Sequence, residues 1–146
     1  MVEARMQEQP QQKTFDLVRR VRAITMNYIL RRSEDRSGIS YNSFRNKVII
    51  DPETNHSRLQ VPDAYRTARE KVCADVFYAL RACRTREDFV EYFVGTLCSV
   101  PQFLPENEYL GLSAVLLERD DRWQDARALA MLTVSALWSI GQPENG

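Results

Sequence analysis

Apolar residues recur every three or four positions along most of this chain, which is the spacing of helices that pack onto a core. The first such segment predicts a helix from about Thr14 to Arg32, with Thr14 as its cap and Asp16 in its first turn. One side of this helix carries the apolar stripe Leu17, Val18, Val21, Ile24, Tyr28 and Ile29. The stripe predicts that this side faces a core.

The same helix is rich in arginine. On a helical wheel we place Arg20, Asn27 and Arg31 together opposite the apolar stripe, with Arg19 beside them and with Arg22 and Arg32 toward the margins of the stripe. Arg20 and Arg31 are eleven residues apart, which is about 16 Å along the helix axis. This spacing predicts an outward row that follows a nucleic-acid backbone.

The helical pattern breaks between Ser33 and Val61. Gly38, Pro52 and many serine, asparagine and aspartate residues predict a long loop there. A short helical turn around Tyr41–Lys47 and a brief strand at Val48–Ile50 are compatible with it. A loop of this length in a compact domain is unusual and tends to be functional or ordered by a partner.

This loop carries four basic residues with Tyr41 and Phe44 between them; the basic residues are Arg36, Arg45, Lys47 and Arg58. Basic residues interleaved with aromatic rings suit single-stranded nucleic acid, because the cations meet phosphates and the rings stack on bases. The alternative is that the aromatic rings anchor the loop to the core. We favour this alternative for Phe44, and both interpretations stay open for Tyr41.

Helical spacing resumes after the loop. A second helix opens with Pro62 in its first turn and runs to about Cys83; its predicted inner face is Tyr65, Ala68, Val72, Val76, Ala79, Leu80 and Cys83. A third begins at Thr85, has Glu87 and Asp88 in its first turn, and is ended by Pro101. Its predicted stripe is Phe89, Val90, Phe93, Val94 and Leu97.

Two more helices complete the prediction. The fourth runs from about Glu106 to Glu118, and the fifth runs from Asp120 or Asp121 to Gly141. Between Ala128 and Ile140 the fifth is apolar on nearly all sides, which predicts a central position. The predicted fold is therefore all-α: a single helical bundle of about five helices over residues 13–141, with a long basic loop at 33–61. Residues 1–12 are predicted to be a polar, flexible N-terminus, and residues 142–146 a tail.

The composition narrows the class of protein. The longest uncharged apolar run has thirteen residues, too few to span a bilayer, and the polar start lacks the hydrophobic segment of a signal peptide. Three cysteines without paired spacing indicate a reducing compartment. We therefore expect a cytoplasmic protein that makes no membrane contact.

The formal net charge of zero conceals a strong asymmetry. Residues 1–86 contain 17 Lys+Arg against 10 Asp+Glu, a net of +7, whereas residues 87–146 contain 3 against 10, a net of −7. Of the 20 basic residues, 17 are arginine, whose planar guanidinium group binds phosphate oxygens in pairs. The pattern indicates a polyanion partner or, equally, packing of the basic half against the acidic half, in this chain or in a neighbouring copy.

Side chains that carry catalysis are sparse. His56 is the single histidine, and Cys73 and Cys83 are ten residues apart on one helix, roughly 15 Å, which excludes a disulfide and gives no metal-ligand spacing. Cys98 with His56 is the one conceivable nucleophile–base pair, and no motif supports it. We expect no enzyme activity, no catalytic residue, no metal site and no cofactor.

Three stretches resemble a known family: AYRTAREKVCADVFYALRAC, EDFVEYFVGTLCSVPQFLP and ALAMLTVSALWS. They are similar to the C-terminal helical region of the large subunit of type I-B CRISPR effector complexes, in the Myxococcus-like branch. The resemblance covers roughly Ala64 to Ser139 and extends more weakly to the first helix. In such systems this region is also made as a separate small subunit, and this chain looks like that product.

The resemblance implies a non-catalytic small subunit of the crRNA-guided Cascade complex. Its implied partners are crRNA, target and displaced non-target DNA, the large subunit, the backbone subunits and further copies of itself. It implies a basic surface that contacts nucleic-acid backbone, for which the candidates are Arg19, Arg20, Arg31, Arg32, Arg36, Arg45, Lys47 and Arg58. From the charges alone we expect the copies to stack head-to-tail, with the acidic end of one beside the basic end of the next.

An interpretation from a different class is a helical protein–protein adapter whose arginine-rich face binds an acidic partner. A third is a thiol enzyme acting through Cys98.

Overall fold

The computed structural model describes residues 10–45, 48–50, 52–55, 57–100 and 122–139. Within these ranges the α-helices are α1 (Pro10–Ser37), α2 (Asp63–Ala82), α3 (Arg86–Tyr92) and α4 (Arg122–Ser139). A 3₁₀ turn (Tyr41–Ser43) and the strands β1 (Val48–Ile50) and β2 (Ser57–Leu59) lie between α1 and α2, and π-helical turns continue α3 over Phe93–Leu97. The predicted all-α fold is confirmed, with four α-helices in the described ranges where about five were predicted; the helix predicted at 106–118 lies outside them.

The core lies where α1, α2 and α4 pack against one another, with α3 packed on α2 and α4. Each helix supplies apolar residues at helical spacing, so burying these residues against one another removes their surface from water. The buried cluster includes Leu17, Val21, Ile24, Ile29, Val72, Val76, Leu80, Phe89, Phe93, Leu97, Trp123, Ala126, Ala130 and Val134.

Helix α1 is longer at both ends than the pattern predicted. Within the described residues it is helical from Pro10 onwards, so residues 10–12 are helical rather than part of the predicted flexible N-terminus. It continues past Arg32, and the Ser33 hydroxyl donates to the Ile29 carbonyl at 2.6 Å. It ends where Gly38, at φ +73°, donates its N–H to the Glu34 carbonyl at 2.8 Å. Thr14 is therefore interior rather than a cap, and the loop starts at residue 38 rather than 33.

The segment between α1 and α2 contains a small antiparallel hairpin. The brief strand predicted at Val48–Ile50 is confirmed, and it pairs with β2 in the register Ile49 opposite Arg58. Asn55, in the connection between the strands, has φ 61°, a left-handed conformation that asparagine tolerates better than most residues. A helical turn was predicted at Tyr41–Lys47. The structure has a 3₁₀ turn there that spans three residues, Tyr41–Ser43.

The second and third helices follow the prediction, except that Val94, which was predicted on the inner stripe of the third helix, is exposed. The predicted inner face of α2 is buried apart from Ala79, which is half-buried, and Pro62 precedes the helix rather than forming its first turn. Thr85 caps α3, because its hydroxyl accepts the N–H of Asp88 at 3.1 Å. After Tyr92 the helix widens to π geometry, with the N–H of Cys98 bonded to the Phe93 carbonyl at 3.0 Å.

Helix α4 contacts the other three described α-helices, but it is not buried on all sides as its apolar run predicted. One face is buried, whereas Leu132 on another face is 67% exposed. The run contains several alanines and one threonine, and its apolar character reflects these small side chains as much as large hydrophobic ones. An apolar groove of about 350 Å³ lies between α1 and α4, lined by Val18, Arg22, Met26, Leu129, Leu132 and Leu137 among others.

Candidate nucleic-acid interface

The N-terminal half of α1 presents arginines to solvent. Arg19 and Arg22 are exposed, as is Met26, and because these residues are three and four positions apart they share one face of the helix. Neither arginine forms an ion pair with the part of the chain that the structure describes. Arg22 was predicted at a margin of the apolar stripe, and its exposure was missed.

The predicted outward row of Arg20, Asn27 and Arg31 is wrong. Asn27 is 6% exposed, and Arg20 and Arg31 are half-buried. Helix α1 lies against both α2 and α4, so the flanks of its apolar stripe are covered as well as its centre. At 100° per residue this row falls on such a flank rather than opposite the stripe.

In the C-terminal half of α1 the exposed arginines are paired with carboxylates. Arg36 Nη2 is 3.2 Å from Asp75 Oδ2 on α2, and Arg32 Nη1 is 3.8 Å from Asp35 Oδ2. The Arg32 guanidinium also lies over the Tyr28 ring, 5.5 Å from its centroid. Because the paired carboxylates cancel their charge locally, these two arginines attract a phosphate less than Arg19 does.

The turn after α1 is anchored by an aromatic cluster. Phe44 is buried, and its ring is edge-on to the Tyr65 ring at a centroid distance of 4.7 Å, which confirms that it holds the loop to the core. Tyr41 packs on Phe44 at 5.4 Å, and its N–H donates to Glu34 Oε2 at 2.8 Å. Arg45, which follows this cluster, is exposed.

Two predicted residues have no described side chain. Lys47 lies outside the described residues, and Arg58 is described only through its backbone in β2. The structure thus brings Arg19 and Arg20 together near the start of α1 and places Arg31, Arg32 and Arg36 along its second half, with Arg45 in the turn beyond. It does not locate the remaining two side chains relative to them.

The excess of positive charge on α1 can be read from the sequence once the bounds of the helix are known. From Leu17 to Ser33 the helix contains five arginines and no aspartate or glutamate. The first carboxylates after this stretch are Glu34 and Asp35, and the latter pairs with Arg32. The N-terminal half of α1 therefore carries a net positive charge, because it has four basic residues against the one carboxylate of Asp16.

The cysteine thiols stay protonated near neutral pH. Burial raises the pKa of Cys98 to about 11, and burial likewise raises the pKa of Cys73 to about 11. Burial also raises the pKa of Cys83. A thiol is a weak nucleophile until it loses its proton, and His56, the proposed base for Cys98, lies outside the described residues. In the described ranges no three histidine, cysteine or carboxylate side chains are grouped as they would be around a metal ion.

The prediction also missed the environment of two residues of α2. Arg69 is 2% exposed in α2, although its spacing of four from Tyr65 and from Cys73 already placed it on the inner face. Asp75 pairs with Arg36 across 39 residues of sequence, a contact that no local pattern signals.

No helix among the described ranges is long and apolar enough to cross a bilayer.

The fold and the charged face define a class: a helical-bundle protein with an arginine-rich first helix that has no acidic residue in its central part. Comparison with known families then identifies the family to which the chain belongs. A sequence model of the type I-B CRISPR Cas8b C-terminal domain matches residues 2–137, and the chain belongs to this family. It is thus a component of the type I-B CRISPR effector complex, Cascade, and corresponds to the C-terminal region of the large subunit, which confirms the resemblance. Comparisons with curated proteins and with solved structures gave no match.

Proposed function

We propose that this chain is a non-catalytic small subunit of the crRNA-guided complex, that it binds nucleic-acid backbone, and that it stabilises the R-loop. Its nucleic-acid partners are crRNA, target DNA and the displaced non-target strand. Its protein partners are the large subunit, the backbone subunits and further copies of itself, in the cytoplasm. The family supports membership of the complex, and the arginines of α1 support the contact with phosphate.

The observation that carries the proposal is the exposed pair Arg19 and Arg22. Both are on a helix stretch without carboxylates, and neither is neutralised by a described neighbour. Guanidinium groups in this state bind phosphate oxygens with charge-assisted hydrogen bonds. Such contacts position a strand without reading its sequence, which suits a complex in which guide base pairing reads the sequence.

The charge distribution supports a stack of copies. The net +7 of residues 1–86 and −7 of residues 87–146 are complementary, so a head-to-tail arrangement brings opposite charges together. Such contact uses the basic half of one copy and the acidic half of the next, so some arginines would be neutralised by protein rather than by phosphate.

A second candidate function is the protein–protein adapter. The observation that favours it is the groove between α1 and α4, where Met26 and Leu132 are exposed apolar side chains beside Arg22. Exposed apolar surface bordered by charge is typical of protein interfaces. In this function the arginines would meet carboxylates of a partner protein instead of phosphates.

A salt titration distinguishes the two functions. Fluorescence anisotropy would measure the affinity of the chain for labelled single-stranded DNA between about 50 and 200 mM salt. A phosphate binder loses about 0.7 log units of affinity per log unit of salt for each phosphate neutralised on a single strand. We expect a steep slope, and we expect Arg19→Ala with Arg22→Ala to reduce it by about 1.4.

The matched control is Arg81→Ala with Arg84→Ala, which removes two exposed arginines at the end of α2 and beyond it. It lowers the net charge by the same amount, and it should change the slope less than the α1 variant does. A wild-type affinity that does not vary with salt, together with tight binding to an acidic protein, would support the adapter instead.

A further inference from the structure

A cleft between α1 and α2 has a different character from the Arg19 face. It has a volume of about 240 Å³ and lies between the second half of α1, the middle of α2 and Tyr92; the polar and aromatic side chains that line it are Tyr28, Arg32, Asp35, Arg36, Asp75 and Tyr92. This is smaller than the roughly 300–1,000 Å³ of sites for drug-sized ligands. The cleft is therefore suited to one flat ring system.

The charges of this cleft argue against a phosphate as its occupant. Two arginines and two aspartates line it, and they are paired as Arg36 with Asp75 at 3.2 Å and Arg32 with Asp35 at 3.8 Å. A phosphate brought here would gain attraction from the guanidinium groups and lose it to the carboxylates. A neutral group that both donates and accepts hydrogen bonds has no such conflict.

The cleft also offers a stacking surface. The Arg32 guanidinium plane lies over the Tyr28 ring, 5.5 Å from its centroid, and Tyr92 contributes a second, half-buried ring to the lining. Bases of single strands stack on tyrosine rings and on arginine planes, because every base has a π-face. The walls thus combine a π surface with hydrogen-bonding groups at the rim.

The carboxylates select among bases. A carboxylate accepts hydrogen bonds and donates none when ionised, so it favours a base edge that carries an amino group, such as the N4 amino group of cytosine. Thymine carries a carbonyl oxygen at the same position, which a carboxylate oxygen would repel. Each aspartate here uses one oxygen toward its arginine and has a second oxygen available on the same group.

We propose that this cleft binds one unstacked base of a single strand and prefers a base with an exocyclic amino group. The inference rests on the proposed function, since α1 must first hold the strand by its backbone. The cleft then adds a weak base preference to a contact that is otherwise independent of sequence.

The test compares deoxycytidine and deoxythymidine oligonucleotides of equal length, because both are weakly stacking pyrimidines that differ at the edge the carboxylates would read. An abasic strand of the same length reports binding to the backbone alone. We expect the wild-type chain to bind the deoxycytidine strand roughly fivefold more tightly than the deoxythymidine strand, the size of one net hydrogen bond. We expect the abasic strand to bind more weakly than both and with an unchanged salt dependence.

Asp75→Asn should abolish this preference, because it replaces one acceptor oxygen with an amide donor. Asp35→Asn should weaken it, and both side chains are exposed, so the fold should tolerate either change. The matched control is Asp63→Asn, which makes the same charge change at an exposed position on α2 outside the cleft. It should raise the affinity for all strands slightly and leave the ratio unchanged.

The outcomes separate the two proposals. Equal affinity for all three strands, with a steep salt dependence, would overturn the base cleft and leave backbone binding in place. A preference that survives both aspartate variants would also overturn the cleft. Failure to bind any strand would overturn backbone binding, and the cleft with it.

Discussion

The arginines of this chain occupy three kinds of environment, and each environment assigns a different role. Arg69 is buried in α2, Arg36 is exposed but paired with Asp75, and Arg19 is exposed without a described carboxylate partner. Only the last kind offers its full charge to a phosphate. Residue type alone therefore did not identify the candidate interface, because the same side chain packs in the core, pairs with a carboxylate or stays exposed without a described carboxylate partner.

Arg69 should be important for stability rather than for binding. Burial lowers the pKa of its guanidinium group, and neighbouring Cys73 and Tyr65 are on the same face of α2. We expect Arg69→Ala to lower the free energy of unfolding by about 2–4 kcal/mol, because it leaves a cavity in the core. Urea denaturation followed by circular dichroism would measure this. Arg81→Ala, an exposed control in the same helix, should change it by less than about 0.5 kcal/mol; equal effects would show that Arg69 is not a core residue in solution.

The buried thiols make stability depend on alkaline pH. The pKa of Cys73 is about 11 in the folded chain and 9 for an ordinary thiol, so between these values the unfolded state releases a proton that the folded state keeps. The free energy of unfolding should therefore be unaffected below pH 9 and fall between pH 9 and 11. Burial also raises the pKa of Tyr65, which continues the decline. Denaturation at a series of pH values tests this, and Cys73→Ala should make the decline less steep, with the part due to Cys98 remaining; stability that rises over this interval would contradict it.

Among the elements, sequence periodicity predicted the buried face of α2 and the cap of α3 correctly. It failed at the ends and flanks of α1 for reasons that are not local. Ser33 and the acidic residues after it look like a loop, yet the helix continues to Ser37, where the Ser33 hydroxyl donates to the Ile29 carbonyl and the Gly38 N–H donates to the Glu34 carbonyl. Arg20 and Arg31 look exposed on a wheel for a helix with one buried face, and α1 is covered on two sides.

Helix α3 depends on its cap because it is short. The α-helical part has seven residues, and the Thr85 hydroxyl satisfies the Asp88 N–H that would otherwise have no helical partner. We expect Thr85→Ala to lower the free energy of unfolding by about 1 kcal/mol, and Thr85→Ser to have a much smaller effect because it keeps the hydroxyl. Chemical denaturation of the three proteins measures the difference. If the serine variant lost as much stability as the alanine variant, the cap would not be the cause.

At the scale of the whole molecule, the bundle holds a charged helix in a fixed orientation. The core formed by α1, α2 and α4 fixes which face of α1 is buried, and so leaves Arg19 and Arg22 exposed to solvent. The sequence predicted the bundle, the excess of positive charge in the first half and the family. It could not predict which arginines carry that charge to the surface, because their exposure depends on helices far away along the chain.

The central claim is that the exposed arginines of α1 hold nucleic-acid backbone in the assembled complex. The most direct test is the lifetime of the R-loop on a matched DNA target, measured with complexes that contain either the wild-type chain or the chain with Arg19→Ala and Arg22→Ala. Subunit composition would be verified for both complexes, and the Arg81→Ala with Arg84→Ala variant would serve as the control. We predict a shorter R-loop lifetime for the α1 variant, with a larger deficit at low salt than at high salt. An R-loop lifetime equal to that of the wild-type complex, in a fully assembled complex at low salt, would contradict the claim.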